Sequence, residues 1–155
     1  MSKMSRTVWS MTCAALLLAA LAGCGSDVRE RNKALARRAF KEVLSEGHFE
    51  RAGEFYAADF AVHGLHRDAS LAEDQAAARG WKQAFPDLDY KLEQVIADGP
   101  DFVVARTAIS GVGARSGMPV HLAWISVFWL DDRKVIRTAG YRNRHEALKA
   151  VGLEE

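Results

Sequence analysis

HLAWISVFWLDDRKVIRTAGYRN, residues 121–143, is the stretch on which the fold turns. It reads as two long strands joined by a tight turn. The first strand, about Val120 to Leu130, is dense in Trp, Ile, Val and Phe, side chains that suit a pleated, half-buried surface. Asp131-Asp132-Arg133 is short and polar, as a hairpin turn should be, although it lacks the glycine of the strongest turn signals. The second strand, about Lys134 to Asn143, is more polar. A pair this apolar on one side requires cover, and the rest of the chain has to supply it.

Working outward, the pattern from Val28 to Glu46 is helical. Leu35, Ala39 and Val43, with Phe40 and Leu44, form one apolar stripe, and Gly47 follows as a C-cap. Phe49 to Ala58 reads as a second short helix with Ala52, Phe55 and Tyr56 inward. Asp59 to His63 alternates like a short strand or extended turn, and Gly64 to Ala69 reads as a loop. Ser70-Leu71-Ala72-Glu73 fits a capping box, in which the serine takes an orphan helix N–H and the glutamate reaches back. The third helix then runs to about Ala84, with Ala76, Trp81 and Phe85 inward, and Pro86 stops it. Leu88 to Asp98 alternates, Gly99-Pro100-Asp101 turns, Phe102 to Ser110 is apolar on both faces, and Gly111 to Gly117 is a loop. Glu146 to Val151 is a short closing helix ended by Gly152. Three N-terminal helices before a run of strands predict an α+β fold, with the helices on one face of a curved antiparallel sheet.

The N-terminus reads differently. Lys3 and Arg6 precede a short apolar run, Ala14 to Ala22, well under the ~20 residues that span a bilayer. The run ends Leu21-Ala22-Gly23-Cys24, which resembles the lipobox of bacterial lipoproteins. This implies a signal peptide over 1–23, cleavage before Cys24, lipidation of its thiol, and a short tether over 24–27 ahead of a domain over 28–155. An ordinary secretory signal with an incidental cysteine is the competing reading. Under the lipoprotein reading the domain sits close to a cell-envelope membrane. Gly25 after the cysteine, by resemblance to Gram-negative lipoproteins, allows sorting to the outer membrane, facing the periplasm. Cys13 would be removed and Cys24 acylated, leaving no thiol for a disulfide, a nucleophile or a metal. Loss of Lys3 and Arg6 would take the 21 basic residues to 19 against 20 acidic, a net charge of −1. That balance gives no reason to expect a nucleic-acid partner.

Several residue runs, in order, carry a family likeness. Phe85-Pro86-Asp87-Leu88, the strand ending Val95-Ile96-Ala97-Asp98-Gly99, and Val103-Val104-Ala105-Arg106 resemble the SnoaL-like polyketide cyclase (ester cyclase) family. So do Ile125 to Asp132, Leu148-Lys149-Ala150-Val151-Gly152, and Phe55 to Phe60 with His63 upstream. The resemblance spans about Leu35 to Gly152. It implies the nuclear-transport-factor-2-like cone, with a pocket between sheet and helices. In catalytic members the last strand carries a His, then a Trp, then an Asp acting as general acid/base. A gap-free correspondence puts those places at Thr138, Ala139 and Asn143. A carboxamide does not exchange a proton near neutral pH and threonine has no useful pKa, so the inherited chemistry is weakened.

Residues 139, 141 and 143 share one strand face. If Asn143 points into the pocket, so do Tyr141, Ala139 and Arg137. Tyr141 would then present a hydroxyl to a ligand; the alternative is a core or rim tyrosine. His63 is either a pocket base or a structural histidine at a corner. His121 either lines the pocket or lies exposed at a strand end. His63 and His66, spaced i, i+3 in a loop without a third ligand, do not make a metal site, and no cofactor is expected. Trp81, Trp124, Phe128 and Trp129 divide between core, dimer contact and ligand cage. A strand apolar on both faces has a second face to bury, so a homodimer is expected. The ligand set predicted is His63, Trp81, His121, Tyr141 and Asn143, around a small apolar or aromatic molecule. The alternative is an isomerase, hydrolase or cyclase using His63, His121 and Tyr141 as relocated acid/base groups.

Overall fold

Leu35, Ala39 and Val43 recur on one helical face, and around them the chain forms its first helix, α1, over residues 25–38. The computed structural model describes residues 25–63 and 68–153. The expected signal peptide, Cys24 and His66 lie outside the described residues. Residues 25–27, read as tether, already belong to α1. The helix passes directly into a π-helical turn, Ala39–Ser45, whose Ala39, Phe40, Val43 and Leu44 are all buried. Phe40 and Leu44, four residues apart, both face inward, and π-helical turns are frequent at functional sites. Gly47 follows with φ +81°, the left-handed conformation that suits glycine.

The second helix is shorter than its sequence suggests. A 3₁₀ turn, Phe49–Arg51, leads into α2, Ala52–Phe55, and the chain is already extended at Tyr56. Tyr56-Ala57-Ala58 would suit a helix, but Tyr56 pairs with Val135 in the sheet, and tertiary pairing overrides local propensity. β1 spans Tyr56–His63, and β2, Asp68–Ser70, pairs with it where a loop was expected. The Ser70/Glu73 capping box is formed, and α3 runs Leu71–Ala84. The strands β3 (Asp89–Asp98), β4 (Phe102–Val112), β5 (Pro119–Asp131) and β6 (Lys134–Tyr141) follow. The closing helix α4 is Arg144–Lys149, and Gly152 beyond it has φ +75°.

The sheet has the order β2-β1-β6-β5-β4-β3. All pairings are antiparallel except β1 with β6, which is parallel. The opening stretch is indeed the β5–β6 hairpin. Asp131 pairs with Lys134 across a two-residue turn, and Asp132 and Arg133 have φ +40° and +61°. Two left-handed residues in succession are what match a two-residue turn to the strand twist. Arginine at such a position costs on the order of 1 kcal/mol. Arg133→Gly is therefore expected to raise stability by a few tenths up to about 1 kcal/mol, read as a higher urea midpoint at unchanged slope.

Directly opposed residues share a face, so the register assigns both sides of the sheet. Val103, Ala105 and Phe128 join Ala36, Phe40, Val43 and Phe55 in the main core, which places them on the concave face beneath the helices. Phe128 meets Phe40 edge-on, with ring centroids 5.3 Å apart. The alternate residues Val104, Val127, Ile125, Trp129 and Tyr141 pack with Ala147 and Val151 on the convex face. Among the described residues no helix is long and apolar enough to cross a membrane.

Candidate functional site

Between the helices and the concave face lies a cavity of about 460 Å³. The π-helical turn contributes Phe40 and Leu44, and β1 contributes Tyr56, Phe60 and Val62. β5 lays down Leu122, Trp124, Ser126 and Phe128 at alternate positions, as the period of a strand requires. Tyr90, Ile109 and Thr138 complete the sheet wall, and Asp74 and Trp81 close it from α3. A second lobe of about 240 Å³ shares Leu44, Val62, Asp74, Trp81 and Tyr90 and extends toward Ala69 and Ala78. Trp81, 39 % exposed, and Leu122, 48 % exposed, are partly open to solvent at the cavity edge. Trp81 stacks on Phe85 with centroids 5.5 Å apart, and the Ala114 N–H donates to Ala84 O at 2.9 Å, tying the 113–118 loop to the end of α3.

The orientation of α3 differs from its apolar reading. Ala76 is exposed, while Ala78 is buried. The inward stripe is Leu71, Asp74, Ala78 and Trp81, spaced three, four and three. A pattern of apolar residues alone passes over Asp74; its spacing from Ala78 and Trp81 is the signal that includes it. Its charge reaches two cavity tyrosines. Burial first, then the negative charge of Asp74, pushes the Tyr56 hydroxyl well up, and the same two causes push Tyr90 up to about 12. Both phenols are therefore neutral donors at physiological pH. On the sheet floor Thr107 Oγ1 and Ser126 Oγ share a hydrogen bond of 2.8 Å, and Thr107 Oγ1 also donates to Trp124 O at 3.3 Å.

Of the residues expected from sequence, the structure brings Trp81 to the cavity and sets the other four elsewhere. Phe128 pairs with Thr138, so Thr138 and Gly140 take the concave face. Arg137, Ala139 and Tyr141 take the convex one, opposite Trp129, Val127 and Ile125. The Arg137 guanidinium lies 3.7 Å over the Trp129 ring there. Tyr141 packs in the convex cluster, not among the cavity walls. His121, at an odd position of β5, is exposed. His63 Nδ1 lies 2.9 Å from Asp68 Oδ1 across β1 and β2, outside the cavity lining. Asn143 is not on the strand at all. It is the N-cap of α4, and its Oδ1 accepts from the Glu146 N–H at 2.9 Å. Asn143→Ala should cost about 1 kcal/mol of stability, read as a lower urea midpoint at unchanged slope. An unchanged midpoint would contradict this placement.

The comparisons with known proteins bear on this arrangement. The SnoaL-like polyketide cyclase family matches residues 34–150, most of the chain. The chain belongs to the SnoaL-like polyketide cyclase family. Solved structures agree on the fold. A candidate SnoaL-like polyketide cyclase from Jannaschia sp. CCS1 superposes with a TM-score of 0.64 at 21% identity, over 81% of this chain and 91% of that one. AclR, a candidate hydroxylase from Streptomyces galilaeus, gives 0.62 at 20% identity, over 79% and 81%. Rd1NTF2_04 with long sheet gives 0.56 at 12% identity, over 70% and 98%. No curated protein matches the chain in sequence. The fold is thus the nuclear-transport-factor-2-like cone, α+β with a curved, unclosed six-stranded sheet. The three places that the resemblance marks on a SnoaL-like last strand separate here. Thr138 faces the cavity and Ala139 borders it from within β6 while sharing the convex face with Val127; Asn143 caps a helix.

Proposed function

We propose that this SnoaL-like domain binds a small apolar or aromatic molecule in the cone cavity and does so without the family's last-strand acid/base chemistry. The observation that carries the reading is the cavity itself, about 460 Å³ walled by Phe40, Tyr56, Phe60, Trp124 and Phe128 with few polar groups. Sites for small molecules have this character, apolar with a few placed polar groups. The changed last strand supports the second half, since Thr138 and Gly140 supply no titratable group on the concave face. An enzymatic reading built on His63, His121 and Tyr141 lacks geometric support, because none of the three lines the cavity.

The test is native mass spectrometry of the cell-purified protein, with a thermal-shift screen of apolar and aromatic compounds. A ligand at a hundred times its dissociation constant stabilises by about 2.7 kcal/mol, a shift of several degrees. No co-purified molecule and no shift across the library would remove the reading. We further propose that residues 1–23 are a lipoprotein signal and that lipidated Cys24 holds the domain at an envelope membrane, the outer membrane in a Gram-negative cell. The Leu21-Ala22-Gly23-Cys24 run supports this, and a Cys24→Ser chain that still partitions into detergent would refute it. Trp129, Tyr141 and Ile125 leave part of the convex face apolar. A second copy of the chain is the proposed cover, and a monomer in sedimentation at micromolar concentration would exclude it.

A further inference from the structure

We propose that Tyr56 and Tyr90 are the groups by which the cavity recognises its ligand, their hydroxyls donating to a neutral acceptor oxygen that the ligand carries. The inference rests on the cavity being the ligand site. Both tyrosines line the larger lobe, and Tyr90 lines the smaller one as well. Neither hydroxyl makes a hydrogen bond among the described residues. The sealed side-chain polar atom that lacks a hydrogen-bond partner among those residues is Glu42 Oε2, which faces Arg51 at 2.6 Å. The two phenol oxygens are therefore not sealed but open onto accessible space. Tyr56 is only 5 % exposed, so for its hydroxyl that space is the cavity. Ser126, by contrast, already shares its hydroxyl with Thr107.

Each ring is fixed while its oxygen stays free. Tyr56 meets Phe60 at 4.7 Å between ring centroids and Tyr90 meets Phe40 at 6.2 Å, both edge-on. Behind Tyr90, Ser45 Oγ accepts the Tyr90 N–H at 2.7 Å and donates to Tyr90 O at 3.0 Å, which pins the start of β3 to the π-helical turn. Donors held in place before binding lose little freedom when a ligand arrives. The charge of Asp74 acts on both hydroxyls, which sets the two within reach of α3. Burial and that charge hold both phenols protonated, so each has a proton to donate. A phenylalanine would fill either place without burying a hydroxyl that the protein leaves unpaired. Water in an open cavity serves such groups, but a ligand that displaces it has to supply an acceptor or leave them unmet. A neutral oxygen suits the site better than a carboxylate, which loses far more hydration in an apolar cavity.

The experiment uses the purified full chain with 1-tetralone and tetralin, which differ by one carbonyl, and reads dissociation constants by calorimetry at neutral pH. Tetralone should bind the wild-type protein about tenfold more tightly than tetralin. Tyr56→Phe and Tyr90→Phe should each weaken tetralone by about threefold to fivefold, and the double variant should bind the two compounds within about twofold of each other. Tetralin affinity should stay within about twofold throughout. Urea unfolding of the ligand-free variants should give midpoints equal to or above that of the wild type, because the hydroxyls serve the ligand rather than the fold. A ketone preference that survives in the double variant overturns the inference, as does an equal loss for tetralin. So does a lower midpoint for Tyr56→Phe, which would give the hydroxyl a structural role. Equal binding of tetralone and tetralin to the wild-type protein refutes the acceptor recognition and leaves the cavity reading standing, a result that needs no variant to fold. Failure of both compounds to bind the wild-type protein refutes both.

Discussion

Replacing Phe128 with alanine is expected to remove about 3–5 kcal/mol of stability, the largest single effect in the molecule. Phe128 is fully buried at the centre of β5. Its ring meets Phe40 edge-on at 5.3 Å and so couples the sheet to the helical layer. It stands between Val103 on β4 and Thr138 on β6, and the deletion would loosen three strands at once. The space left would merge with the cavity that Phe128 already borders rather than close by local collapse. That pushes the cost toward the upper part of the range, since the penalty grows with the volume left empty. Urea unfolding should show a lower midpoint with an unchanged slope, and the thermal midpoint should fall by on the order of 10 °C. A loss below about 1 kcal/mol would mean that the helices and sheet are not joined through this contact.

Filling the cavity should have the largest effect on binding. Thr138 lies on the concave face of β6 and lines the cavity. Thr138→Trp places an indole where a ligand would otherwise lie, and affinity for any ligand of naphthyl size should fall by about a hundredfold or more. Overpacking a tight core ordinarily costs about 1–3 kcal/mol, but here the added ring enters a cavity of about 460 Å³. Stability should therefore change by less than about 1 kcal/mol. Calorimetry and urea unfolding on the same sample separate the two effects. Unchanged affinity in a folded Thr138→Trp protein would place the ligand elsewhere.

Much of the architecture was legible in the sequence. The β5–β6 hairpin, the Ser70/Glu73 capping box and the Gly47 and Gly152 helix ends all lie where their residues suggest. The family likeness also supplied the cone. Which face of β6 looks inward was not legible. Period two divides 137, 139 and 141 from 138 and 140 but does not say which set is buried beneath helices; only the pairing of Phe128 with Thr138 decides it. Asn143 follows strand residues, which favours strand for it too. Yet an asparagine followed three residues later by Glu146 is also a helix-start signature, and that reading prevails. Asp74 is hard to place for the opposite reason, since a carboxylate on an inward helical stripe breaks the apolar pattern that marks such stripes. Departures of this kind are expected at functional sites.

The central claim is that ligand enters the concave cavity and not the convex face that carries Tyr141 and His121. Methyl-detected NMR titration with a hit from the aromatic screen tests it most directly. The methyl groups of Leu44, Val62, Ile109, Leu122 and Thr138 line the cavity. Those of Ile96, Ile125 and Val151 pack on the far side of the sheet. Saturable shifts are expected in the first set, with the second set still. Shifts confined to Ile96, Ile125 and Val151 would contradict it.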